Sequence, residues 1–144
     1  MTRTEVAALL ETRLAALARR DIAAVMQLHT DDCVVDSPLG GHASGPDAIR
    51  KVYDAWLAAF PDAEWAVEPP IVDGDRVAQA TTVTGSDVGG FMGLPPTGKR
   101  FTLPIVFLLV VRDGRIHAVK EYLDTLHAMN ALTGARQSQQ SRRE

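Results

Sequence analysis

Apolar residues recur at intervals of three and four positions near the start of the chain, a pattern that predicts an amphipathic helix. Thr2 and Glu5 have the spacing of a capping box, so this first helix is expected to begin directly after Thr2. A short second helix is predicted over residues 21–28. The apolar stripe of the first helix consists of Val6, Leu9, Leu10, Leu14 and Leu17.

A third helix has the clearest local signals. The segment Ser44-Gly45-Pro46-Asp47 offers a cap, a proline for the first turn and an acid near the positive end of the helix dipole. Pro61-Asp62 is expected to end this helix. Its apolar stripe consists of Ile49, Val52, Tyr53, Trp56, Leu57 and Phe60.

The second half of the chain is typical of a β-sheet. Asp73-Gly74-Asp75 and Asp113-Gly114 predict tight turns, and Pro69-Pro70 is expected to bend a strand or lie at an edge. Three helices and a short strand, followed by an antiparallel meander, predict one α+β domain with three N-terminal helices packed on one face of a curved antiparallel sheet. The domain is expected over residues 1–135, and residues 136–144 are expected to form a polar, disordered tail. Strands are predicted over residues 33–35, 64–72, 76–84, 101–112 and 115–122.

A segment rich in glycine and proline, residues 84–101, joins two of the predicted strands. We expect it to lie at the rim of a pocket, since glycine allows unusual backbone angles and Pro95-Pro96 forces extended backbone. Phe91 and Met92 are its apolar side chains and are predicted to contact a ligand.

Composition and charge exclude several classes of function. The 144 residues carry a net charge of −3 without a basic stripe, so no nucleic-acid partner is expected. Cys33 is the single cysteine, which fits a reducing compartment, and the four histidines lack metal-ligand spacing. No apolar run reaches membrane-spanning length and no signal peptide is recognisable, so a cytoplasmic protein without cofactor, metal or membrane partner is predicted.

Short motifs occur in a characteristic order along residues 5–134. Taken together they resemble the nuclear transport factor 2-like (NTF2-like) superfamily, with its cone-shaped fold, and within it the SnoaL-like polyketide cyclases. The motifs are Asp31-Asp32, Gly45 with Asp47-Ala48-Ile49-Arg50, Phe60-Pro61-Asp62, Asp73-Gly74-Asp75-Arg76-Val77, Gly93-Leu94-Pro95-Pro96-Thr97-Gly98-Lys99, Asp113-Gly114-Arg115-Ile116 and Asp124.

The resemblance implies a deep apolar pocket and a cofactor-independent cyclase or isomerase that uses acid–base chemistry on a small hydrophobic or aromatic, polyketide-like molecule. Such cyclases are thought to use an aspartate on the last strand, which by motif is Asp124. The other interpretation of Asp124 is a residue that ends the strand or caps a helix before Thr125. A homodimer is also implied, formed through the outer face of the sheet.

Asp36 and Lys120 are the residues predicted to assist Asp124. Asp36 lies near the position of the base in related steroid isomerases, although a shift of one residue would turn Ser37 inward instead. Matching Ile116 and Asp124 to the family places Lys120 and Tyr122 on the inner face, and His117 and Glu121 on the outer face. A one-residue bulge that turns Lys120 outward is the open alternative.

Aromatic residues are the predicted pocket walls. Val83 and Ala118 stand where such cyclases carry polar residues, so a non-catalytic binding protein for a small molecule is a second hypothesis. A third is an epoxide hydrolase-like activity, for which Arg112 is the nearest candidate for an inward arginine. The predicted substrate-pocket residues are Tyr53, Trp56, Trp65, Phe91, Met92, Phe107 and Tyr122.

Overall fold

The fold consists of four helices and a seven-stranded mixed sheet, described here from a computed structural model of residues 1–91 and 93–133. The predicted α+β class, with helices on an open curved sheet, is confirmed. The helices are α1 (Arg3–Ala18), α2 (Ile22–Gln27), α3 (Pro46–Ala59) and α4 (Thr125–Thr133). The strands are β1 (His29–Ser37), β2 (Gly41–Ser44), β3 (Glu64–Val67), β4 (Ile71–Asp73), β5 (Arg76–Ser86), β6 (Arg100–Arg112) and β7 (Arg115–Tyr122).

Local signals set the helix boundaries. The Thr2 hydroxyl accepts from the Glu5 amide at 3.1 Å and the Glu5 carboxylate accepts from the Thr2 amide at 3.0 Å, so the predicted capping box is present. Pro46 starts α3 as expected, but Gly45 is its N-cap and no side chain caps it. The Ser44 hydroxyl is therefore not used in the predicted cap.

The strands are paired in the order β2-β1-β7-β6-β5-β3, with β4 also on β5. The prediction of a wholly antiparallel sheet was wrong, because β1 pairs with β7 in parallel. The predicted strand over residues 64–72 is divided at Glu68–Pro70 into β3 and β4, both of which pair with β5. The short strand β2 was not predicted, and the C-terminal helix α4 was expected only in the helix-capping interpretation of Asp124.

The hydrophobic core fills the space between the helices and one face of the sheet. Residues of β6 alternate strictly between buried and more exposed, and the side chains of Leu103, Ile105 and Leu109 are almost fully buried. Val6 and Ile49 meet this layer from α1 and α3. Apolar residues on the other face of β6 include Val106, which is 43% exposed.

A β-bulge interrupts β7 and decides which of its side chains face the core. Val111 pairs with Ile116 and Val110 pairs with Ala118, so His117 is an extra residue on β7. Ile116 and Val119 are both buried although they are three positions apart. The bulge confirms the open alternative of the sequence analysis, and Lys120 points outward.

Candidate functional site

A cavity lies between helices α1 and α3 and the buried face of the sheet. Its free space, measured for the centre of a water-sized sphere, is about 50 Å³, several times the roughly 10–15 Å³ that one water requires. Three polar side chains, Arg13, Tyr53 and Glu121, share the lining with apolar residues. The apolar lining consists of Leu17, Val35, Ile49, Val52, Trp56, Leu57, Trp65, Val83, Ile105, Phe107 and Val119.

Glu121 is the carboxylic acid of this cavity. The bulge at His117 places Glu121 on the same face as Val119, and Glu121 is the register partner of Phe107 on β6. Burial raises the pKa of the Glu121 carboxyl, while a hydrogen bond from Ser37 and the charge of Arg13 act in the opposite direction. Its Oε2 atom is buried without a hydrogen-bond partner among the described residues.

Arg13 brings a cation into the cavity from the middle of α1. Its Nη2 donates to the Tyr53 hydroxyl at 3.1 Å, and its guanidinium carbon lies 5.5 Å from the centre of the Phe107 ring. The Nε atom of Arg13 is buried and has no acceptor in the described part of the chain. An N–H donor in an apolar cavity is costly to leave unpaired, so Arg13 Nε is a candidate contact for a ligand oxygen.

Arg13 and Glu121 are not directly paired, since no ion pair within 4 Å joins them. The cavity therefore contains one unused cationic donor and one unused carboxyl oxygen. This arrangement can donate a hydrogen bond to an oxyanion and exchange a proton with the same bound molecule.

His29 lies beside this group, at the start of β1. Its ring is 3% exposed, its Nδ1 is 3.0 Å from the Val25 carbonyl and its ring centre is 6.0 Å from that of Tyr53. Burial lowers the pKa of His29 to about 4, with the charge of Arg13 acting in the same direction and the Val25 hydrogen bond opposing it. His29 is thus neutral at pH 7 and donates through Nδ1–H to Val25.

The predicted catalytic residues lie outside the cavity, which corrects their expected placement. Asp124 is exposed, and its Oδ1 accepts from the His127 amide at 3.0 Å at the start of α4, which is the helix-capping interpretation. Lys120 is exposed on the opposite face of β7. Asp36 pairs with His42 at 2.6 Å on the outer face. On the inner side of β1, Val35 lines the cavity and the Ser37 hydroxyl hydrogen-bonds Glu121.

Four of the predicted pocket residues line the cavity, namely Tyr53, Trp56, Trp65 and Phe107. Tyr122 does not, since it is 48% exposed on the outer face beside Lys120. Phe91 does not line it either: its ring is packed 4.9 Å from Trp56 and 5.4 Å from Phe60 in the core. Met92 lies outside the described residues.

The glycine-rich segment is held in place by its own hydrogen bonds. Asp87 is 1% exposed, and its carboxylate accepts from the amides of Gly90 and Thr97, each at 3.1 Å. Gly89 donates to the Ala59 carbonyl at the end of α3. The segment is therefore held against the end of α3. Its described residues do not line the cavity, contrary to the predicted position at a pocket rim.

Sequence reasoning missed Glu121 and Arg13. Arg13 had a usable signal, since it lies four positions after Leu9 and four before Leu17, inside the buried stripe of α1. Glu121 had no usable signal, because regular alternation along β7 places it on the outer face and only the bulge at His117 turns it toward the cavity. Arg112, the arginine considered for epoxide chemistry, forms an ion pair with Asp32 outside the cavity.

Comparisons with known proteins agree with this architecture. The sequence model described as SnoaL-like polyketide cyclase matches residues 7–132. This chain belongs to the SnoaL-like polyketide cyclase family. A comparison with curated proteins finds no significant match.

Several solved structures share the fold of this SnoaL-like chain. AclR from Streptomyces galilaeus, a candidate hydroxylase, is 29% identical with a TM-score of 0.79, over 92% of this chain and 83% of AclR. TsrD from Streptomyces laurentii is 23% identical with a TM-score of 0.80, over 92% and 97% of the two chains. A candidate SnoaL-like polyketide cyclase from Jannaschia sp. CCS1 is 22% identical with a TM-score of 0.72, over 85% and 92%.

The described residues contain neither a membrane-spanning helix nor a group of metal-binding side chains. No helix in residues 1–91 and 93–133 is long and apolar enough to cross a membrane. Within the same residues, no three His, Cys, Asp or Glu side chains are grouped so that they could hold a metal ion.

Proposed function

We propose that this SnoaL-like chain is a cofactor-independent acid–base enzyme of cyclase or isomerase type. Its substrate is a small hydrophobic or aromatic, polyketide-like molecule, bound in the cavity between α1, α3 and the sheet. The observation that carries the proposal is Glu121, a carboxylic acid in an otherwise largely apolar cavity, with a buried and unpaired oxygen. The small free space suits a compact molecule, or the reacting end of a longer one.

The proposed chemistry follows from the two unpaired groups. Glu121 takes a proton from a carbon next to a carbonyl and later returns one, which is efficient because burial raises its pKa toward working pH. Arg13 Nε–H donates to the oxygen on which negative charge develops. Tyr53 holds the guanidinium through its hydrogen bond from Nη2.

Membership of the family supports a cyclase or isomerase, since its model carries the cyclase description. AclR, which shares this fold, is named as a candidate hydroxylase. Both points concern relatives, whereas the proposal for this chain rests on Glu121 and Arg13.

The test is hydrogen–deuterium exchange at an acidic carbon. A panel of aromatic 1,3-dicarbonyl compounds is incubated with protein in D₂O, and loss of the C–H signal is followed by NMR. The wild-type protein is expected to accelerate exchange of at least one compound, and Glu121→Gln to reduce that acceleration by about 100-fold. Glu64→Gln, which changes an exposed acid on β3, is the matched control and should exchange at the wild-type rate.

The same panel separates the enzyme from the binding protein of the second hypothesis. Each compound is also tested for its effect on the melting temperature, which a ligand of the native state raises. Compounds that raise the melting temperature but exchange no faster than in buffer would overturn the enzyme and favour the binding protein. Exchange that survives Glu121→Gln would remove Glu121 from the mechanism.

We also propose that the chain forms a homodimer through the outer face of the sheet. Val106 and Tyr122, on neighbouring strands of that face, are 43% and 48% exposed and are register partners. Val106→Glu is expected to convert a dimer to a monomer in analytical ultracentrifugation. A monomeric wild-type protein would contradict this proposal without affecting the chemistry of the cavity.

A further inference from the structure

A second polar cluster lies outside the cavity, on the hairpin formed by β1 and β2. His42 Nδ1 is 2.6 Å from Asp36 Oδ1, and His42 Nε2 is 2.9 Å from the Ser44 hydroxyl. The carboxylate accepts from Nδ1–H, which leaves Nε2 to accept from the serine O–H. One imidazole thus links an acid to a serine through its two different nitrogens.

Strand pairing places these three side chains together. Asp36 and His42 are direct register partners, and Ser44 follows His42 by two positions on the same face of β2. Ala43, between them, packs against the core on the other face. Since β2 is at the end of the sheet, the cluster lies at its edge, where Ser44 and His42 are exposed in the single chain.

The surroundings of the cluster supply further parts of a reaction site. Ser44 is followed by Gly45, the N-cap of the 14-residue helix α3, and no side chain caps that terminus. The unpaired amides of a first turn can stabilise an oxyanion. An open groove of about 470 Å³ borders Asp36 and His42 on the side away from Ser44, and Lys120, Glu121 and Tyr122 are also in its lining.

We propose that Ser44, His42 and Asp36 form a second, hydrolytic site that cleaves small carboxylic esters. The arrangement is that of a nucleophile, a general base and an orienting carboxylate, and it is recognised by geometry and not by position in the sequence. The groove beside His42 would take the acyl or alcohol part of the ester. Glu121 lines both this groove and the cavity. The proposed hydrolysis uses only Ser44, His42 and Asp36, so it does not depend on the function proposed for the cavity.

The reaction consumes one ester and one water. Ser44 Oγ attacks the carbonyl carbon while its proton moves to His42 Nε2, and Asp36 stabilises the imidazolium through Nδ1–H. The ester C–O bond then breaks, and His42 gives the proton to the departing alcohol. Water attacks the acyl-serine with the same assistance from His42, which releases the carboxylic acid and restores the Ser44 hydroxyl.

The test uses the full chain with p-nitrophenyl acetate and, separately, with a fluorophosphonate probe. Ser44→Ala and His42→Gln are each expected to lower the rate of ester hydrolysis at least about tenfold. Ser86→Ala is the matched control, because the Ser86 hydroxyl contacts Arg100 instead of a histidine, and it should keep the wild-type rate. Peptide mapping by mass spectrometry should find the phosphonate on Ser44.

Three results would overturn the proposal: wild-type hydrolysis no faster than in buffer, Ser44→Ala as active as wild type, or probe attached elsewhere with Ser44 unlabelled. Circular dichroism of each variant shows whether a lost rate reflects lost folding. Ser44 is exposed, so the alanine variant is expected to fold.

Discussion

Arg13 and Glu121 face one cavity from opposite ends of the chain without forming an ion pair. A guanidinium and a carboxyl placed in an apolar interior normally neutralise each other, because an unpaired buried charge is costly. Here Arg13 is occupied by Tyr53 on one side, and Glu121 keeps a free oxygen. Burial raises the pKa of the Glu121 carboxyl, and the charge of Arg13 acts against that rise.

Replacing Arg13 by methionine should raise the pKa of the Glu121 carboxyl further. The charge of Arg13 acts to lower this pKa, so its removal leaves the effect of burial less opposed. Loss of the hydrogen bond to Tyr53 should also cost about 1 kcal/mol of stability. The titration is followed by NMR of the side-chain carboxyl carbon. Arg3→Met, on the exposed start of the same helix, should leave the titration unchanged.

Glu121 should make the protein less stable as pH rises. Its folded pKa is raised, so the stability it contributes is fully present below the ordinary glutamate value and is lost as pH rises through the raised pKa. Glu121→Gln cannot ionise and should therefore gain stability relative to wild type as pH rises above the ordinary glutamate pKa. Urea unfolding at several pH values measures the difference. A difference that stays constant with pH would contradict a raised pKa for the buried Glu121 carboxyl.

His29 should make the protein less stable as pH falls, which is the opposite of the effect of Glu121. Its pKa falls from 6.5 to about 4 in the folded protein, so stability is fully present above pH 6.5 and is lost as pH falls toward 4. The loss over that interval is about 3 kcal/mol. His29→Gln should remove this dependence, while His42→Gln, which changes a half-exposed ring, should retain it. Denaturant midpoints at pH 7 and pH 4 distinguish the two outcomes.

Gly89→Ala should destabilise the fold strongly. A Cβ at this position would lie 2.1 Å from the Ala58 carbonyl oxygen, and backbone cannot move aside cheaply. We expect a loss of about 2–4 kcal/mol, seen as a lower melting temperature. Gly40→Ala is the control, because its Cβ would meet nothing closer than 3.8 Å. Equal melting temperatures for both variants would show that the segment is not packed on α3 as described.

Asp124 should matter for stability and not for turnover. Asp124→Ala removes the acceptor for the His127 amide and should cost about 1 kcal/mol, whereas Asp124→Asn keeps a capping oxygen and should cost little. Exchange of a 1,3-dicarbonyl compound should be within about twofold of wild type for both. A large loss of exchange in Asp124→Asn, with stability intact, would restore Asp124 as a catalytic residue.

Local signals predicted much of the helical part of the fold. The capping box of Thr2 and Glu5 and the proline at the start of α3 act within one turn, so their meaning does not depend on the rest of the chain. The aromatic side chains Tyr53, Trp56 and Trp65 were predicted at the pocket wall for a similar reason, since their helix or strand fixed the face they occupy.

Non-local features were not predictable in the same way. The parallel pairing of β1 with β7 joins segments that are far apart in the sequence, and neither strand contains a signal for its direction. The bulge at His117 has no turn residue to mark it, yet it exchanges the faces of Lys120 and Glu121. The prediction that Lys120 and Tyr122 lie on the inner face of the last strand depended on regular alternation. It was therefore wrong.

The bulge means that β7 contains one residue more, at His117, than a regular strand paired with the same residues of β6. A relative that lacks this residue could continue β7 as a regular strand and still present an acid at the place occupied by Glu121. In that relative the acid would come one position sooner after the residue equivalent to Ile116. Acidic residues of this strand are therefore best compared between relatives by the side of the sheet they face. Counting from the preceding turn would instead align Glu121 of this chain with the wrong residue of such a relative.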